Sequence, residues 1–593
     1  MCILYVHTTP YILKENMSLI SINPTASGVR KPVNFVMAYD KSGSMGEAAN
    51  ANGEGIACLY SKNDLGVHSV EIVARSLGPE DTLEIITYDS VVSTLLQRTV
   101  MNDEGKTKAI NAIKTVQPGG CTALWDGLKT ALTAAKRTEE THGNTCVIMI
   151  TDGVPSSSPS IGEVAALKQL RSTTENTCRV HTIGIGYGIN SELLSNLADE
   201  GMHGGSFIFI PDGSMTITSW NNLLTNELCA ADTKVPIVVN NAVVSVIGTL
   251  KYGQPYTYVA NTPVVTNVTV DSKEQIAVNM QSIASCTSPE ATNSIVTANA
   301  ISVLKSIIRI AKADISSAKT LLQKFVQENI QHDIPIMQDI LGQVAEGLTS
   351  EASRDKWGIH HLRSLVSAHT NQNCLNFKDP GPLVYTSPYI QAMSESIDII
   401  ANSILPPSPS LGATRQPVDS ASFNSAFNNR GSSGCFGGKG KVLMNDGTLI
   451  LIEDLKKGDI VYGGAKIMCV VVHANTETVN ILDNLYITSW HPVRMYGKWV
   501  FPNSITNSGK LIMDKVYNYV LDSVHTIIVN GTIACTLAHG FTGDVIGHDF
   551  YGTEKVHNSL KNFPGYADGH VVVAEANVAR NSTGLVCDYV YTV

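Results

Sequence analysis

The hydrophobic pattern changes character four times along the chain. From Val33, short apolar runs that stop on polar residues, "VNFVMAYD", "DTLEIITYD" at Asp81, "CVIMITDG" at Cys146 and "VHTIGIG" at Val180, alternate with helical stretches such as "LWDGLKTALTAAKR". Strands and helices alternating at these lengths predict a parallel, doubly wound α/β sheet over residues 33–225, with residues 1–32 as a separate N-terminal segment. Over 226–290 the pattern becomes alternating and rich in Val and Thr, as in "AVVSVIGTLKYGQPYTYVA", which predicts antiparallel strands in a small β-sandwich. Over 291–405, apolar residues recur at helical spacing, and "LPPSPSLGATRQPVDSASFNSAFNNRGSSG" then reads as a linker over 406–434. From Cys435 to about 540, nearly every segment is a short apolar run bounded by Asp-Gly, Gly-Asp or Asn-Gly, which predicts an all-β domain. Residues 541–593 extend it with one helical stretch, "TEKVHNSLKNF", and further Val-rich runs.

Charge and composition narrow the classes of function. A formal charge of -10, with 16% charged residues and no Lys/Arg stripe, offers no phosphate footprint, so no nucleic-acid partner is expected. The 12 cysteines are scattered without a C-x-x-C pair, as expected for reduced thiols in a cytosol-like compartment. The opening "MCILYVHTTPYILKENMSLISI" lacks a basic leader, and its apolar run is broken by His7, Thr8 and Pro10. No transmembrane segment is expected, since no run approaches the ~18 apolar residues one needs. A soluble, unsecreted chain is the expectation. His332, His360, His361 and His369 fall in or near the helical region; His360 and His361, being adjacent, cannot share a metal at i, i+4 spacing, so surface or capping roles are expected. No Ser/His/Asp set and no phosphate-binding Gly loop points to an enzyme acting on other molecules; "GIGYGIN" at Gly184 lacks the full fingerprint.

Candidate chemistry lies in two places. In a doubly wound sheet, ligands sit at the carboxyl ends of strands, where Asp40 and Asp152 fall. Asp40, Ser42 and Ser44 follow the first strand, Thr122 lies in "GGCTALWDGL", and Asp152 in "MITDG". Two carboxylates and three hydroxyls are hard oxygen ligands that suit Mg2+ or another small divalent cation. With few anionic ligands, such an ion would stay electrophilic and seek a carboxylate from a protein partner. "DKSGSM" alone could be a flexible turn. Together with the Thr122 loop and "TDG", it resembles the metal-ion-dependent adhesion site of the von Willebrand factor A domain, over about residues 33–220.

The second place is the start of the last domain. A thiol at a domain's first residue can attack the carbonyl of the peptide bond before it, here that of Gly434, which makes Cys435 a candidate nucleophile. Thr488 and His491 in "ITSWHP" can aim a hydroxyl and an imidazole at one spot, or can merely cap a turn. His491 is the candidate acid, because an unperturbed imidazole titrates near neutrality. "CFGG", "DGTLILIEDLKKGDIV", "TSWH" and "VYNYVLDSVHTIIVNG" resemble the blocks of the Hint domain shared by Hedgehog autoprocessing domains and inteins. That resemblance implies an N-to-S acyl shift at Gly434-Cys435. Splicing is not expected, because "NGTIACTLAHGF" places Cys535 and Thr536 where a splicing intein carries its terminal Asn. Cys535 is a candidate second thiol or a structural one. The whole order resembles von Willebrand A and Hint (Vint) proteins of eukaryotes and large DNA viruses. It implies a metal-dependent protein-binding module joined to a self-cleaving domain, or else an adhesive protein whose Hint fold is inert.

Overall fold

The computed structural model describes residues 18–49, 56–139, 144–176, 178–200, 204–211, 216–260, 268–270, 276–282, 289–332, 334–375, 379, 381–411, 435–481, 485–488, 491–495, 498–502, 511–541, 546–548, 550–574, 577–580 and 586–591. The chain divides into two compact units, 1–428 and 429–593.

In the first unit, β1 (Ser18–Pro24) precedes a six-stranded sheet made of β2 (Asn34–Asp40), β3 (Thr82–Tyr88), β4 (Val92–Val100), β5 (Thr145–Thr151), β6 (Arg179–Ile185) and β7 (Phe207–Ile210). The spatial order is β4-β3-β2-β5-β6-β7, all parallel except the edge strand β4. Every residue of β2, β3, β5 and β6 is buried, as expected of strands covered on both faces. The helices are α1 (Lys62–Ser76), α2 (Asp103–Ile113), α3 (Leu124–Glu139), α4 (Glu163–Thr174), α5 (Ser191–Asp199) and α6 (Thr216–Leu228). From β2 the chain runs to β3 on one side and later returns to β5 on the other. The strand order therefore reverses between β2 and β5, which opens a crevice at their carboxyl ends. Asp40 ends β2, and Asp152 follows β5.

The sandwich consists of two three-stranded sheets. One joins β8 (Ala230–Val239), β9 (Ala242–Lys251) and β11 (Val268–Val270); the other joins β10 (Tyr256–Ala260), β1 and β12 (Ile276–Ser282). β1 runs antiparallel to both β10 and β12, so the N-terminal segment supplies the central strand of that second sheet. Ile20 and Ile22 pack with Val235, Ile237, Val239 and Ile247 between the sheets.

The helical part includes α7 (Pro289–Ala311), α8 (Ile315–Asn329), α9 (Ile359–Asn371) and α10 (Pro388–Ser403). Thr292–Ala311 is the one helix among the described residues long and apolar enough to cross a membrane, by length and composition alone. Its residues Val296, Ala300, Val303, Leu304 and Ile307 form one buried stripe in the core shared with α8 and α9. The histidines of α9 correct an expectation: His360, His361 and His369 are buried, not at the surface. α9 packs against β7, α5 and α7, so no wide face is left for solvent. His360 Nδ1 lies 2.6 Å from Ser191 Oγ and His369 Nδ1 lies 2.8 Å from the Tyr385 hydroxyl. Burial, the largest effect on each, pushes His360 down to about 4 and His369 to about 3. From the same helix, Ser367 and Ser364 accept hydrogen bonds from Phe207 N–H at 2.9 Å and Phe209 N–H at 3.2 Å. The edge of the six-stranded sheet is thereby closed.

The second unit is built mainly of antiparallel strands, most of them short. β13 (Phe436–Gly437), β16 (Ile467–Asn480), β17 (Tyr486–Ile487) and β20 (Leu511–Leu521) form one sheet with β23 (His570–Val573). A second sheet joins β14 (Lys441–Leu443), β15 (Leu449–Leu451), β18 (Val493–Met495), β19 (Lys498–Val500), β21 (Thr526–Val529) and β22 (Thr532–Cys535). β23 pairs in parallel with β16, so residues beyond 540 belong to the sheet itself.

Candidate functional site

The loops at the β2/β5 crevice are tied together before any ligand is considered. Gly43 N–H donates to Gly120 O at 3.1 Å, Gly119 N–H to Lys41 O at 2.8 Å, and Ala123 N–H to Asp89 O at 2.8 Å. Gly120 has φ +73°, and a Cβ there would lie 2.9 Å from Ser90 Oγ, so the turn requires glycine. Ser156 N–H donates to Thr122 O, and Thr122 N–H donates to Ser156 Oγ, both at 3.0 Å.

On this platform the five sequence-predicted oxygen donors come together. Asp40 is fully buried; its Oδ1 accepts from Ser42 N–H at 2.8 Å and its Oδ2 from Thr151 Oγ1 at 2.6 Å. Ser42 Oγ lies 3.2 Å from Ser44 Oγ, which donates to Asp152 Oδ1 at 2.8 Å. A Cβ built on Gly153 would sit 3.7 Å from both Ser44 Oγ and Thr122 Oγ1, so these hydroxyls border one spot. Burial pushes the Asp40 carboxyl up to about 6, against the lowering effect of its Thr151 and Ser42 hydrogen bonds. A buried carboxylate raised in this way gains by acquiring a cation. The donor set is all oxygen, with no thiolate or imidazole, which fits a hard divalent ion. Sequence reasoning missed Thr151, Ser156 and Lys62. Lys62 Nζ lies 2.6 Å from Asp152 Oδ2. The capping-box residues in "SKND", Ser61 and Asp64, are the one signal that could have placed Lys62 at the start of a helix.

A second polar cluster, Cys146, His181 and Glu227, is compact and buried but is poorly suited to a metal. His181 Nδ1 accepts from Ser206 N–H at 3.3 Å, so its proton sits on Nε2, facing Glu227 Oε1 at 3.4 Å. Glu227 is already paired with Arg179 at 2.6 Å.

In the second unit, Cys435, Thr488, His491 and Cys535 meet. Cys435 N–H donates to Thr488 Oγ1 at 2.8 Å, and Thr488 N–H donates back to Cys435 O at 2.9 Å. A turn closed by His491 N–H on Thr488 O at 3.1 Å brings the imidazole under Phe436, with ring centroids 4.2 Å apart. Phe436 pairs with Ile487 and Tyr517, which fixes Cys435 at the start of β13. Cys435, Thr488 and His491 are fully buried. His491 Nε2–H donates to Cys535 O at 2.7 Å, which leaves Nδ1 as the nitrogen without a proton; among the described residues Nδ1 is buried and has no hydrogen-bond partner, and the Cys435 main chain lies beside the ring. Burial pushes His491 down to about 4, only partly offset by the main chains of Cys535 and Cys435. The imidazole is therefore neutral at pH 7, below the range of an ordinary histidine. Cys535 contributes its carbonyl oxygen; its thiol is pushed up to about 12 by burial. Gly434, and Ser489 and Trp490 between Thr488 and His491, lie outside the described residues.

The chain carries a von Willebrand factor A domain followed by a C-terminal Hint domain. Family models match in chain order: von Willebrand factor type A domain over 35–154, VWA / Hh protein intein-like over 332–399, and Hint-domain (Vint) over 434–588. Among solved structures, the chain is similar to a von Willebrand factor type A protein from Catenulispora acidiphila (13% identity, TM-score 0.42, covering 59% of this chain and 96% of that one). It is also similar to the ArnB paralog VWA2 from Sulfolobus acidocaldarius (14% identity, TM-score 0.39, covering 60% and 93%). No curated protein matches the chain.

Proposed function

We propose that the chain couples a metal-dependent protein-binding module to a Hint domain that cleaves its own backbone at Gly434-Cys435 without splicing. The observation that carries the second half is the buried contact set on Cys435: its amide held by Thr488 Oγ1, with a neutral imidazole whose Nδ1 is bare. With Nε2–H engaged by Cys535 O, Nδ1 can accept the Cys435 thiol proton but has none of its own to give. The thiolate then attacks the Gly434 carbonyl carbon. As the C–N bond breaks, the proton on Nδ1 moves to the Cys435 nitrogen, leaving a thioester at Gly434 and a free α-amine. His491 is thus base first and acid second. Water or another nucleophile then takes the acyl group.

For the first half, Asp40, Ser42, Ser44 and Thr122, backed by Asp152, would hold Mg2+ or a similar ion. Such an ion would supply positive charge for a partner's carboxylate. Support comes from the convergence of five oxygen donors on loops already braced by hydrogen bonds. Intact-mass analysis of the purified chain with and without dithiothreitol tests the cleavage. Fragments ending at Gly434 and beginning at Cys435, formed faster with thiol, support it. A chain that stays whole through prolonged incubation favours an inert Hint fold in an adhesive protein.

A further inference from the structure

Lys62 is in an unusual place. It is the first residue of α1, at the helix end where the backbone dipole favours anions and disfavours an ammonium group. Its side chain is nonetheless only 11% exposed and reaches toward the oxygen cluster. Its three N–H donors meet three acceptors: Asp152 Oδ2 at 2.6 Å, Glu47 Oε2 at 3.0 Å and Ser44 O at 3.4 Å. Its stem passes beside Gly186, where a Cβ would meet Lys62 Cε at 3.6 Å, an ordinary contact; the φ of +83° there is what suits glycine.

Glu47 is largely exposed, whereas the Asp152 side chain is buried. Asp152 is therefore the less water-screened of the two carboxylates holding the ammonium. The same Asp152 receives Ser44 Oγ on its other oxygen. A resident cation thus occupies one oxygen of a carboxylate whose other oxygen belongs to the divalent-ion cluster.

We infer that Lys62 is a tethered counter-cation that sets the divalent-ion affinity of this site. It holds Asp152 and the Ser44 loop in place without metal, and it weakens metal binding by cancelling one of the two carboxylate charges. A partner's carboxylate restores that charge, so ion and partner bind more tightly together than apart. This rests on the metal-site reading above.

The test is Mn2+ binding to the full-length chain, read by electron paramagnetic resonance of the free ion, for the wild type, Lys62→Met, Lys62→Arg and Asp40→Ala, with folding checked by circular dichroism. Lys62→Met should lower the Mn2+ dissociation constant at least tenfold, while Lys62→Arg, which keeps the charge, should stay within about threefold of wild type. If wild type binds and Asp40→Ala does not, but Lys62→Met equals or falls below wild type, the inference is overturned and the metal site stands. If Lys62→Met is misfolded, Lys62→Gln is read against the same two thresholds. If no variant binds Mn2+ better than Asp40→Ala, the metal reading and the inference fall together.

Discussion

At the residue scale, His491 and Asp40 carry the sharpest expectations. With His491 held near 4, the Nδ1 lone pair is present throughout the neutral range. The imidazole should give the cleavage rate no inflection between pH 5.5 and 8, as roughly the span around an ordinary histidine. A step near 6.5 that disappears in His491→Gln would refute the assignment. The stability sign follows from the same shift. A histidine depressed on folding leaves its contribution fully present above the ordinary value of ~6.5, and that contribution is lost as pH falls toward 4. His491→Ala should slow thioester formation by ~100-fold or more, and Thr488→Ala by less, since that hydroxyl orients the amide and carries none of the transferred protons. Thioester trapped with dithiothreitol and quantified by mass measures both. In the oxygen cluster proposed to hold the ion, Asp40→Ala should abolish divalent-dependent partner binding with the fold retained; equal binding of the partner in EDTA and in Mg2+ would sink that expectation. The side chains of both sites were legible in the sequence because each belongs to a short local motif. Lys62 and the carbonyl of Cys535 were not. One reaches Asp152 only through the fold, and the other acts through a backbone atom that residue identity does not encode.

At the element scale, the doubly wound sheet was readable because β2, β3, β5 and β6 are continuous apolar runs separated by helices. α9 was misread. "IHHLRSLVSAH" carries histidines and serines on every side, and a helix with so many polar groups reads as half exposed. Its polar groups are instead spent on specific partners inside the protein, above all the free edge of β7. Ser367→Ala would leave the Phe207 N–H buried without an acceptor, at a cost of about 1–3 kcal/mol. Ser364→Ala would do the same to Phe209, less severely, since that bond is 3.2 Å rather than 2.9 Å long. Urea unfolding followed by circular dichroism reads both. A Ser367→Ala midpoint unchanged within error would show that the edge is satisfied in another way. The strand contributed by Ser18–Pro24 was hidden for a different reason. It is the middle strand of a sheet whose partners, β10 and β12, lie more than 230 residues further on, and no local pattern announces such a pairing.

At the scale of the whole molecule, the sequence reading puts a linker before Cys435 and an extension of the last domain over 541–593, and the second compact unit runs from 429 to 593. The turn-rich pattern fades near 540, while the core does not. Phe550, Val556, Leu560, Phe563, Val571 and Val573 pack on Cys469, Val471 and Val520 of β16 and β20. A chain cut after Gly540 should lose fixed tertiary structure, because removing that layer exposes an apolar face of the central sheet. A chain spanning 435–593 should keep it, as dispersion of its amide proton resonances will report. The same continuity bears on the fate of the proposed thioester. In a splicing domain the chain must break just after the last strand, whereas here Cys535 at the end of β22 is followed by Thr536, Leu537 and Ala538, whose N–H groups donate to His525 O at 3.0 Å, Tyr519 O at 2.9 Å and Tyr551 O at 2.7 Å. Thr536 offers a hydroxyl where Asn would offer an amide able to cyclise, so nothing at this point can release the downstream segment. Two fragments, meeting at Gly434 and Cys435, are the expected end state, with the acyl group passed to water or to an added thiol. A mass corresponding to Gly434 joined to any residue beyond 535 would require a cleavage in the middle of this core, and its detection would overturn both the chemistry assigned to Cys435 and the role assigned to the C-terminal layer.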